Sequence, residues 1–445
     1  MIAWRSATPC TESFAKATSA GIAPKKRRAA LSTTRLAPRR ARLAPRRWPR
    51  APALPTLRRM DTASRQRLFF ADWLRIIAFA LLVLYHVGMV YVPWPYHVKH
   101  DPVYPALEPL MRLTNPWRMS LLFVVSGLAT GLMLGRPRLA RQRTSRLMLP
   151  LAFGMLVIVP PQAWLQVRDQ FGYAGSYLEF MRLFLSGYGG FCQGRKCLIL
   201  PTWNHLWFLP YLWVYTLVLL AAWRWLPRAA LRRAADRLAA APALAWLLLP
   251  IAVLGLLRAL LLPRFGETHA LLDDVWAHAT YGPMFAFGVL LARRTALFDG
   301  LQALRWPALV LAVAAWATLA AAWGVGNEGL GDGSRWALRW VFAAEQWGAI
   351  VAAFGFARLH LNVDHRWRRP LNEAVFPLYI VHQTIIVGAA VALRPLGLPA
   401  GVEAALIVAL TFAGGLAAWR LVRGVPALRP WMGLNTAAPP RPAPV

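Results

Sequence analysis

The sequence predicts an all-α integral membrane protein with about ten transmembrane helices and both termini in the cytoplasm. Three observations predict this class. Hydrophobic residues make up 58% of the 445 residues and charged residues 16%, against about 45–50% and about 25% in a typical soluble domain. Ten apolar runs each approach the roughly 20 residues that cross a bilayer. Basic residues concentrate in the connections between alternate runs, as the positive-inside rule requires.

The ten predicted spans follow from scanning the chain for apolar runs of that length. Pro160-Pro161 falls inside the third run, so we expect a kink there whose freed carbonyls neighbouring helices satisfy. The spans lie near residues 69–93, 116–135, 147–167, 205–226, 242–262, 274–292, 305–324, 335–357, 371–393 and 400–421.

Residues 1–59 form a basic extension that differs from the rest of the chain. They hold 15 Lys+Arg and one acid, Glu12, within a total net charge of +33. Their Arg, Ala and Pro content, without helical or strand periodicity, predicts disorder. We favour a start-site artefact with translation beginning at Met60, while a basic arm on anionic lipid and a targeting segment remain as alternatives. Residues 60–424 then form the ten-helix membrane domain, and 425–445 a Pro-rich cytoplasmic tail.

The remaining positive charge predicts how the helices are oriented. Counted from Met60, connections on the N-terminal side hold 23 Lys+Arg and those on the other side hold 11. Because basic loops stay in the cytoplasm, an even number of spans with both ends inside explains most of this charge. A nucleic-acid partner therefore loses its main support. We expect a multi-pass protein of a bacterial inner membrane, with the lipid bilayer as its partner.

The longest loop on the far side, residues 168–204, contains Cys192 and Cys197. On the oxidising side of such a membrane these thiols could form a disulfide, or they could be unpaired loop cysteines. Four intervening residues do not fit the usual CxxC spacing of redox or zinc sites. The chain shows no zinc, haem or dinucleotide motif, so we expect no metal and no bound cofactor.

The first helix contains three ionisable residues, Asp72, Arg75 and His86. Arg75 and His86 are 11 residues apart, which at 100° per residue places them on one stripe, about 16 Å apart along the axis. Asp72 lies one turn before Arg75 on nearly the same face. The stripe joins a cation that could hold a phosphate to an imidazole that could move a proton. The alternative is a packing Asp72–Arg75 pair with a structural core histidine.

Further candidates lie in or beside the second helix. Arg118 is predicted at its outer end and Ser126 near its middle, next to Gly127, where small residues also permit close helix packing. An arginine-rich loop follows the helix. It could attract a phosphate-bearing ligand, or it could be explained by topology alone. Its candidate arginines are Arg141, Arg143 and Arg146.

Three candidates lie in later spans, where ionisable groups are costly and often functional. His205 is predicted at the outer mouth of the fourth helix, in a Trp-rich string that an interfacial aromatic belt would also explain. Glu345 is near the middle of the eighth span, where it could neutralise Arg339 or Arg75 or take part in proton transfer. His382 is near the middle of the ninth span.

At these positions the chain resembles the acyltransferase 3 family of bacterial membrane O-acyltransferases. Five motifs carry the resemblance, in order, from about residue 67 to about residue 420. They are Asp72-x-x-Arg75 with Arg75-x10-His86, the LFVVSG string ending at Ser126-Gly127, the RQRTSRLMLP string, HLWFL beginning at His205, and Tyr379–Gln383. The lead WRMSLLFVVSG is most similar to the glucan succinyltransferase branch. The basic extension has no counterpart in the family, and Val124 replaces its second phenylalanine.

The resemblance implies transfer of an acyl group, such as acetyl or succinyl, from a cytoplasmic donor such as acyl-CoA to a hydroxyl of an extracytoplasmic carbohydrate, for example a glucan, exopolysaccharide or lipopolysaccharide. His86 would be the general base or a transient acyl carrier. Arg75 would contact the donor phosphate or act as an orienting contact, with Asp72 fixing Arg75. The 141–146 arginines would first attract the donor. The candidates for lining the path or stabilising the oxyanion are Arg118, Ser126, Glu345 and His382, with His205 a further substrate-binding candidate.

Two other functional classes remain. In a transporter or exporter of a glycan or lipid, His86, Glu345 and His382 would relay protons or bind substrate. Transporters often contain inverted repeats, and none is evident between residues 69–226 and 242–421. A structural membrane subunit would leave the Arg75–His86 stripe without a role. Measuring the ester content of surface glycan in cells that carry Arg75→Ala or His86→Ala discriminates among the three classes.

Overall fold

The computed structural model describes residues 4–5, 68–194, 196–294, 296–324 and 331–435. Apart from Trp4–Arg5, the basic extension and the proposed start at Met60 lie outside the described residues, as do residues 436–445 of the predicted tail. Trp4–Arg5 forms a short strand that pairs antiparallel with residues 197–198.

The fold is all-α, as predicted, with ten helices in the described residues long and apolar enough to span a membrane. Each places its backbone hydrogen bonds within its own segment, which a lipid environment requires. The ten are α1 Phe69–Tyr91, α2 Pro105–Met133, α3 Leu139–Phe171, α4 Asn204–Trp225, α5 Ala243–Phe265, α6 Val275–Arg293, α7 Arg305–Trp323, α8 Asp332–His360, α9 Arg368–Leu396 and α10 Ala400–Gly424.

Burial separates the central helices from the peripheral ones. In α9, 78% of the most apolar window is buried inside the protein, against 22% in α5 and α7. Apolar residues that face lipid need no protein partner, so α5 and α7 can stay hydrophobic on the sides that do not pack against α8. His382 and Gln383, near the middle of α9, therefore lie in the protein interior and not against lipid.

The arginine-rich stretch after α2 belongs to a helix and not to the loop that the sequence predicted. Helix α3 begins at Leu139, eight residues before the predicted span, and it carries Arg141, Arg143 and Arg146 on its first turns. Arginine has a high helix propensity and can extend its charge out of the apolar region. A scan for apolar content alone misses such a polar first segment.

The predicted irregularity in α3 is present just before the two prolines. The backbone forms a π-helical turn over Gly154–Ile158, and a regular helix resumes over Val159–Phe171. Because proline has no N–H, it leaves carbonyls one turn earlier without their helical donor. The hydroxyl of Thr384, on α9, donates to the Ile158 carbonyl at 2.7 Å. A neighbouring helix therefore donates to the backbone at this irregularity. The carbonyls that lose their donors to the two prolines are those of residues 156 and 157, so their satisfaction by a neighbouring helix stays a prediction.

Connecting segments cover the two ends of the bundle. We call the end where α1 begins the arginine face, and the end that carries residues 92–104 and 172–203 the loop face. On the loop face, Cys192–Gln193 and Lys196–Leu198 form an antiparallel hairpin whose Cys192 and Cys197 are joined by a disulfide. The smaller helices of the connections are Tyr177–Ser186, Arg228–Ala239 and Leu297–Ala303.

The chain after α10 folds back onto the arginine face. Two short helical turns, Pro426–Leu428 and Pro430–Met432, pack there, with Met432 and Leu434 buried. Asn435 and Arg75 line the same cleft. The two ends of the ten-helix unit therefore lie on one face of the bundle.

Candidate active site

Three histidines from three different helices meet in the interior of the bundle. His86 of α1 lies 3.0 Å from His382 of α9, Nδ1 to Nε2. The ring of His205, at the start of α4, lies 4.9 Å from the His382 ring, centre to centre. His382 and His205 are buried, whereas His86 is partly exposed. The structure thus brings together three residues that the sequence placed in separate spans.

The hydrogen bonds around His382 assign the protons of the histidine pair. His382 Nδ1 lies 2.7 Å from the carbonyl oxygen of Tyr379, which can only accept, so His382 Nδ1 carries the hydrogen. Its Nε2 is then an acceptor, and His86 must donate through Nδ1. In this tautomer the Nε2 of His86 carries a lone pair and no proton. His86 therefore has the protonation state that a general base needs.

His205 is held by the same stretch of α9. Its Nε2 donates to the carbonyl of Ile380 at 2.9 Å, and its own carbonyl accepts from the hydroxyl of Tyr379 at 2.7 Å. Its Nδ1 has no hydrogen-bond partner among the described residues. The sequence placed His205 at the outer mouth of α4, whereas the structure places it in the core beside His382.

A cavity on the other side of these rings extends toward the arginine face. It encloses about 890 Å³ of space, part of it open to solvent, and apolar side chains make up most of its wall. Phe79 and Tyr379 line its inner part, and their rings lie 5.7 Å and 6.0 Å from the ring of His382. The cavity therefore ends one layer of side chains from the histidine pair.

Three arginines line the outer part of this cavity, Arg75, Arg143 and Arg146. Arg143 donates to the hydroxyl of Thr130 at 2.7 Å. Arg75 forms no ion pair with a carboxylate of the described residues, so its guanidinium is available to an anion. Arg141 is exposed and does not line the cavity. The structure thus selects Arg143 and Arg146 from the predicted set of three.

A second cleft continues from the cavity onto the arginine face. Arg75, Arg146 and Phe376 line both, so the two spaces meet at these residues. The second cleft adds three further arginines, Arg368, Arg369 and Arg429, and one acid, Glu373. We call this cleft the arginine basin. Its charge suits a polyanionic group, because arginine binds phosphate with paired, charge-assisted hydrogen bonds.

Asp72 does not fix Arg75, which corrects the expectation from their spacing. Its carboxylate pairs with Arg368 of α9 and also accepts from the amide of Asn372 at 3.2 Å. Arg368 uses its other two nitrogens on Asp364, with Nε at 3.0 Å and Nη2 at 2.6 Å. The Asp72 carboxylate thus has a charged donor and an amide donor on the neighbouring helix, and each makes a direct hydrogen bond to it. Asp72 therefore joins α1 to α9.

Ser126 and Gly127 have different roles. Ser126 lines the cavity. A side chain on Gly127 would lie 2.0 Å from the Phe285 carbonyl of α6, and one on Gly288 would lie 2.0 Å from the Val124 carbonyl. The two glycines therefore let the backbones of α2 and α6 touch, as small residues do between membrane helices.

Arg118 and Glu345 are buried away from both clefts. Arg118 is 4% exposed, lies 3.6 Å over the ring of Tyr85, and donates to Thr114 at 3.3 Å. Both carboxylate oxygens of Glu345 lack a hydrogen-bond partner among the described residues, and Glu345 pairs with neither Arg339 nor Arg75. Of the two alternatives for Glu345, the ion pair with one of those arginines is therefore absent from the described residues, and a part in proton transfer stays a prediction.

A polar chain that was not predicted from the sequence leads from Gln383 to the loop face. Gln383 donates to His97 Nε2 at 2.6 Å, and His97 Nδ1 donates to Gln166 at 2.6 Å. Burial lowers the pKa of His97 to about 3, so this loop histidine stays neutral and can both accept and donate. In the sequence, only the position of Gln383 next to His382 pointed to this chain. The contact with His97 could not be predicted, because it joins residues 286 positions apart.

The histidines are not arranged as a metal site. Among the described residues, no group of three or more His, Cys, Asp or Glu side chains is placed to hold a metal ion. His86 instead donates to His382, and His382 and His205 each donate to a backbone carbonyl.

Comparison with known proteins identifies the family of the chain. The sequence model of the acyltransferase 3 family, described as an acyltransferase domain, matches residues 68–420. The chain belongs to the acyltransferase 3 family. No curated protein matches the chain, and no solved structure does. The match covers all but the last few residues of the ten-helix region, so this multi-pass membrane protein is an acyltransferase. The glucan branch suggested by WRMSLLFVVSG receives no support from the comparisons.

Proposed function

We propose that this membrane acyltransferase moves an acyl group from acyl-CoA, bound at the arginine face, to a hydroxyl of a carbohydrate presented at the loop face. One observation carries the proposal. An arginine basin, an apolar cavity and a histidine pair follow one another through the bundle, and adjacent parts share or contact the same residues.

The order of basin, apolar cavity and histidine pair corresponds to the order of phosphates, pantetheine arm and thioester in an acyl-CoA. Its phosphates would lie in the basin against Arg75, Arg146 and Arg369. Its slender pantetheine arm would pass through the mostly apolar cavity, and the thioester would approach His86 from that side. Arg75 and His86 are separated by about 16 Å along α1, a separation on the scale of that arm.

The chemistry assigned to His86 balances without another reagent. The acceptor O–H gives its proton to His86 Nε2 while its oxygen attacks the thioester carbonyl carbon. The tetrahedral intermediate collapses with cleavage of the C–S bond, and the proton on His86 passes to the departing coenzyme A sulfur. His382 accepts from His86 Nδ1 throughout, which keeps the reactive nitrogen directed at the substrate. The products are an ester and free coenzyme A.

The proposed sidedness places the arginine face in the cytoplasm of a bacterium and the loop face outside the inner membrane. The basic connections favour that orientation under the positive-inside rule. The Cys192–Cys197 disulfide lies on the loop face, and disulfides persist in oxidising compartments. Both arguments give the same orientation, which also brings the basin to the compartment that holds acyl-CoA.

An experiment in cells tests the function. A strain lacking the protein is complemented with wild type, His86→Ala or His365→Ala, the last being an exposed histidine outside the cavity. Membrane levels are matched, and surface glycan is analysed by mass spectrometry before and after mild alkali. We expect alkali-labile acyl groups with wild type and His365→Ala, and none with His86→Ala.

Two results would contradict the proposal. Full acylation with His86→Ala would remove His86 from the reaction. Unchanged acylation in the deletion strain, with glycan accumulating inside the cell, would favour the exporter that the sequence left open.

A further inference from the structure

A second, larger cavity lies on the loop face, at the opposite end of the bundle from the arginine basin. It is open to solvent and has a volume of about 1240 Å³. Its wall combines the loop after α1, the end of α3, the end of α9 and the start of α10. We call it the loop-face cavity. None of the candidate site residues identified from the sequence lines it.

One residue in the wall of the loop-face cavity lies one helical turn beyond His86. Val90 lines it and follows His86 by four residues on α1. Residues four apart lie on the same side of a helix, separated by about 6 Å along its axis. A molecule in this cavity would therefore approach His86 from the side opposite to the apolar cavity.

The cations of the loop-face cavity are already engaged. Lys99 donates to the carbonyls of Met89 and Val92 at 2.6 Å and 2.5 Å. Arg394 pairs with Asp169 at 2.6 Å and donates to the Lys99 carbonyl at 3.0 Å. Three acids line the same wall, Asp101, Asp169 and Glu403. An anionic ligand would meet acids without a free cation, so this cavity does not suit a phosphate or a carboxylate.

Acceptor groups and aromatic rings suit a polyol instead. Glu403 is 4% exposed, and its oxygens contact the Tyr91 hydroxyl at 3.1 Å and His100 at 3.3 Å. The rings of His100 and Tyr104 stack at 6.0 Å, which gives the wall a flat face. A carboxylate has four acceptor positions and can take further O–H donors. Aromatic walls with a few placed polar groups are typical of small-ligand sites.

We propose that the loop-face cavity binds the acceptor, and that the acceptor is a neutral saccharide and not an acidic or phosphorylated one. This inference rests on the proposed acyl transfer. Glu403 would accept from sugar hydroxyls, and Tyr104 would support the face of a sugar ring. The hydroxyl nearest Val90 would be the one that His86 deprotonates.

Binding without turnover tests this assignment. The purified full chain in nanodiscs is titrated calorimetrically with cellotetraose, laminaritetraose and maltotetraose, and with an acidic tetragalacturonate. The two cavity variants are Glu403→Gln, at the buried acid, and Tyr104→Ala, at the exposed ring. Asp332→Asn is the matched control. The Asp332 side chain is 99% exposed and lies outside the cavity. Thermal unfolding of each variant verifies folding.

We expect at least one neutral tetrasaccharide to bind, tetragalacturonate to bind at least tenfold more weakly, and both cavity variants to lose at least tenfold in affinity. Asp332→Asn should match wild type. Preference for tetragalacturonate, no binding by any neutral probe, or wild-type affinity in both cavity variants would overturn the assignment. Failure of acyl transfer itself would appear differently, as saccharide binding without ester formation by the wild type.

Discussion

His86 and His382 are 296 residues apart in sequence, yet their imidazoles lie 3.0 Å apart. The Tyr379 carbonyl fixes the proton on His382, and His382 in turn fixes the proton on His86. This arrangement resembles the logic of catalytic triads, in which a second group holds the base in its reactive tautomer. His382 is accordingly a positioning residue, and His86 is the proposed base.

Replacing His382 should reduce turnover more than substrate binding. In His382→Ala, His86 loses the acceptor that fixes its tautomer, so we expect kcat to fall about 100-fold while both KM values change less than twofold. His382→Gln retains an acceptor oxygen and should recover part of this loss. Steady-state kinetics on purified variants measures the split. A rise in KM with unchanged kcat would assign His382 to binding instead.

The arginine basin predicts a dependence on the donor's phosphates. Loss of a charge-assisted hydrogen bond costs about 1.5–3 kcal/mol, which is roughly a 10- to 100-fold rise in KM. We expect Arg75→Ala to show this rise with acyl-CoA, and little change with acyl-pantetheine, which lacks the phosphates. Arg141→Ala, at an exposed position outside both clefts, is the matched control. Equal effects of Arg75→Ala on both donors would contradict phosphate binding.

Asp72 should support the fold and not the donor site. Asp72→Ala removes its contacts with Arg368 and Asn372, so we expect the free energy of unfolding to fall by about 2 kcal/mol. The KM for acyl-CoA should stay within twofold of wild type. Thermal or denaturant unfolding and donor kinetics on the same preparation check both statements. A large rise in donor KM without destabilisation would restore the Asp72–Arg75 interpretation.

The spans and the first-helix stripe were predictable because lipid imposes strong rules on length and polarity. The partner of Asp72 was not predictable from the sequence. The spacing of Asp72 to Arg75 carries no information about Arg368, which lies 296 residues away. The meeting of His86 with His382 and His205 likewise depends on helix packing. The arginines of α3 were misplaced because apolar content cannot reveal a polar helical turn. The packing of Leu434 on the arginine face could not be predicted, because the segment after α10 has no hydrophobic periodicity.

Lys99 provides a test of pH dependence at the loop-face cavity. Burial lowers the pKa of Lys99 to about 8, while the unfolded chain keeps that proton up to about pH 10.4. Between these values unfolding takes up a proton, so raising the pH stabilises the folded state. We expect the melting temperature of wild type relative to Lys99→Met to rise from pH 8 to pH 10. Parallel melting curves across this range would contradict a depressed Lys99 pKa.

Single-turnover transfer in nanodiscs tests the central claim, that His86 deprotonates the acceptor for attack on acyl-CoA. Acyl-CoA labelled in the acyl group is mixed with wild type or His86→Gln and a saccharide acceptor, and labelled ester and free thiol are quantified together. We expect equal amounts of ester and thiol with wild type, and a rate about 10²–10⁴-fold lower with His86→Gln. Ester formation by His86→Gln at the wild-type rate would contradict the role of His86 as the base.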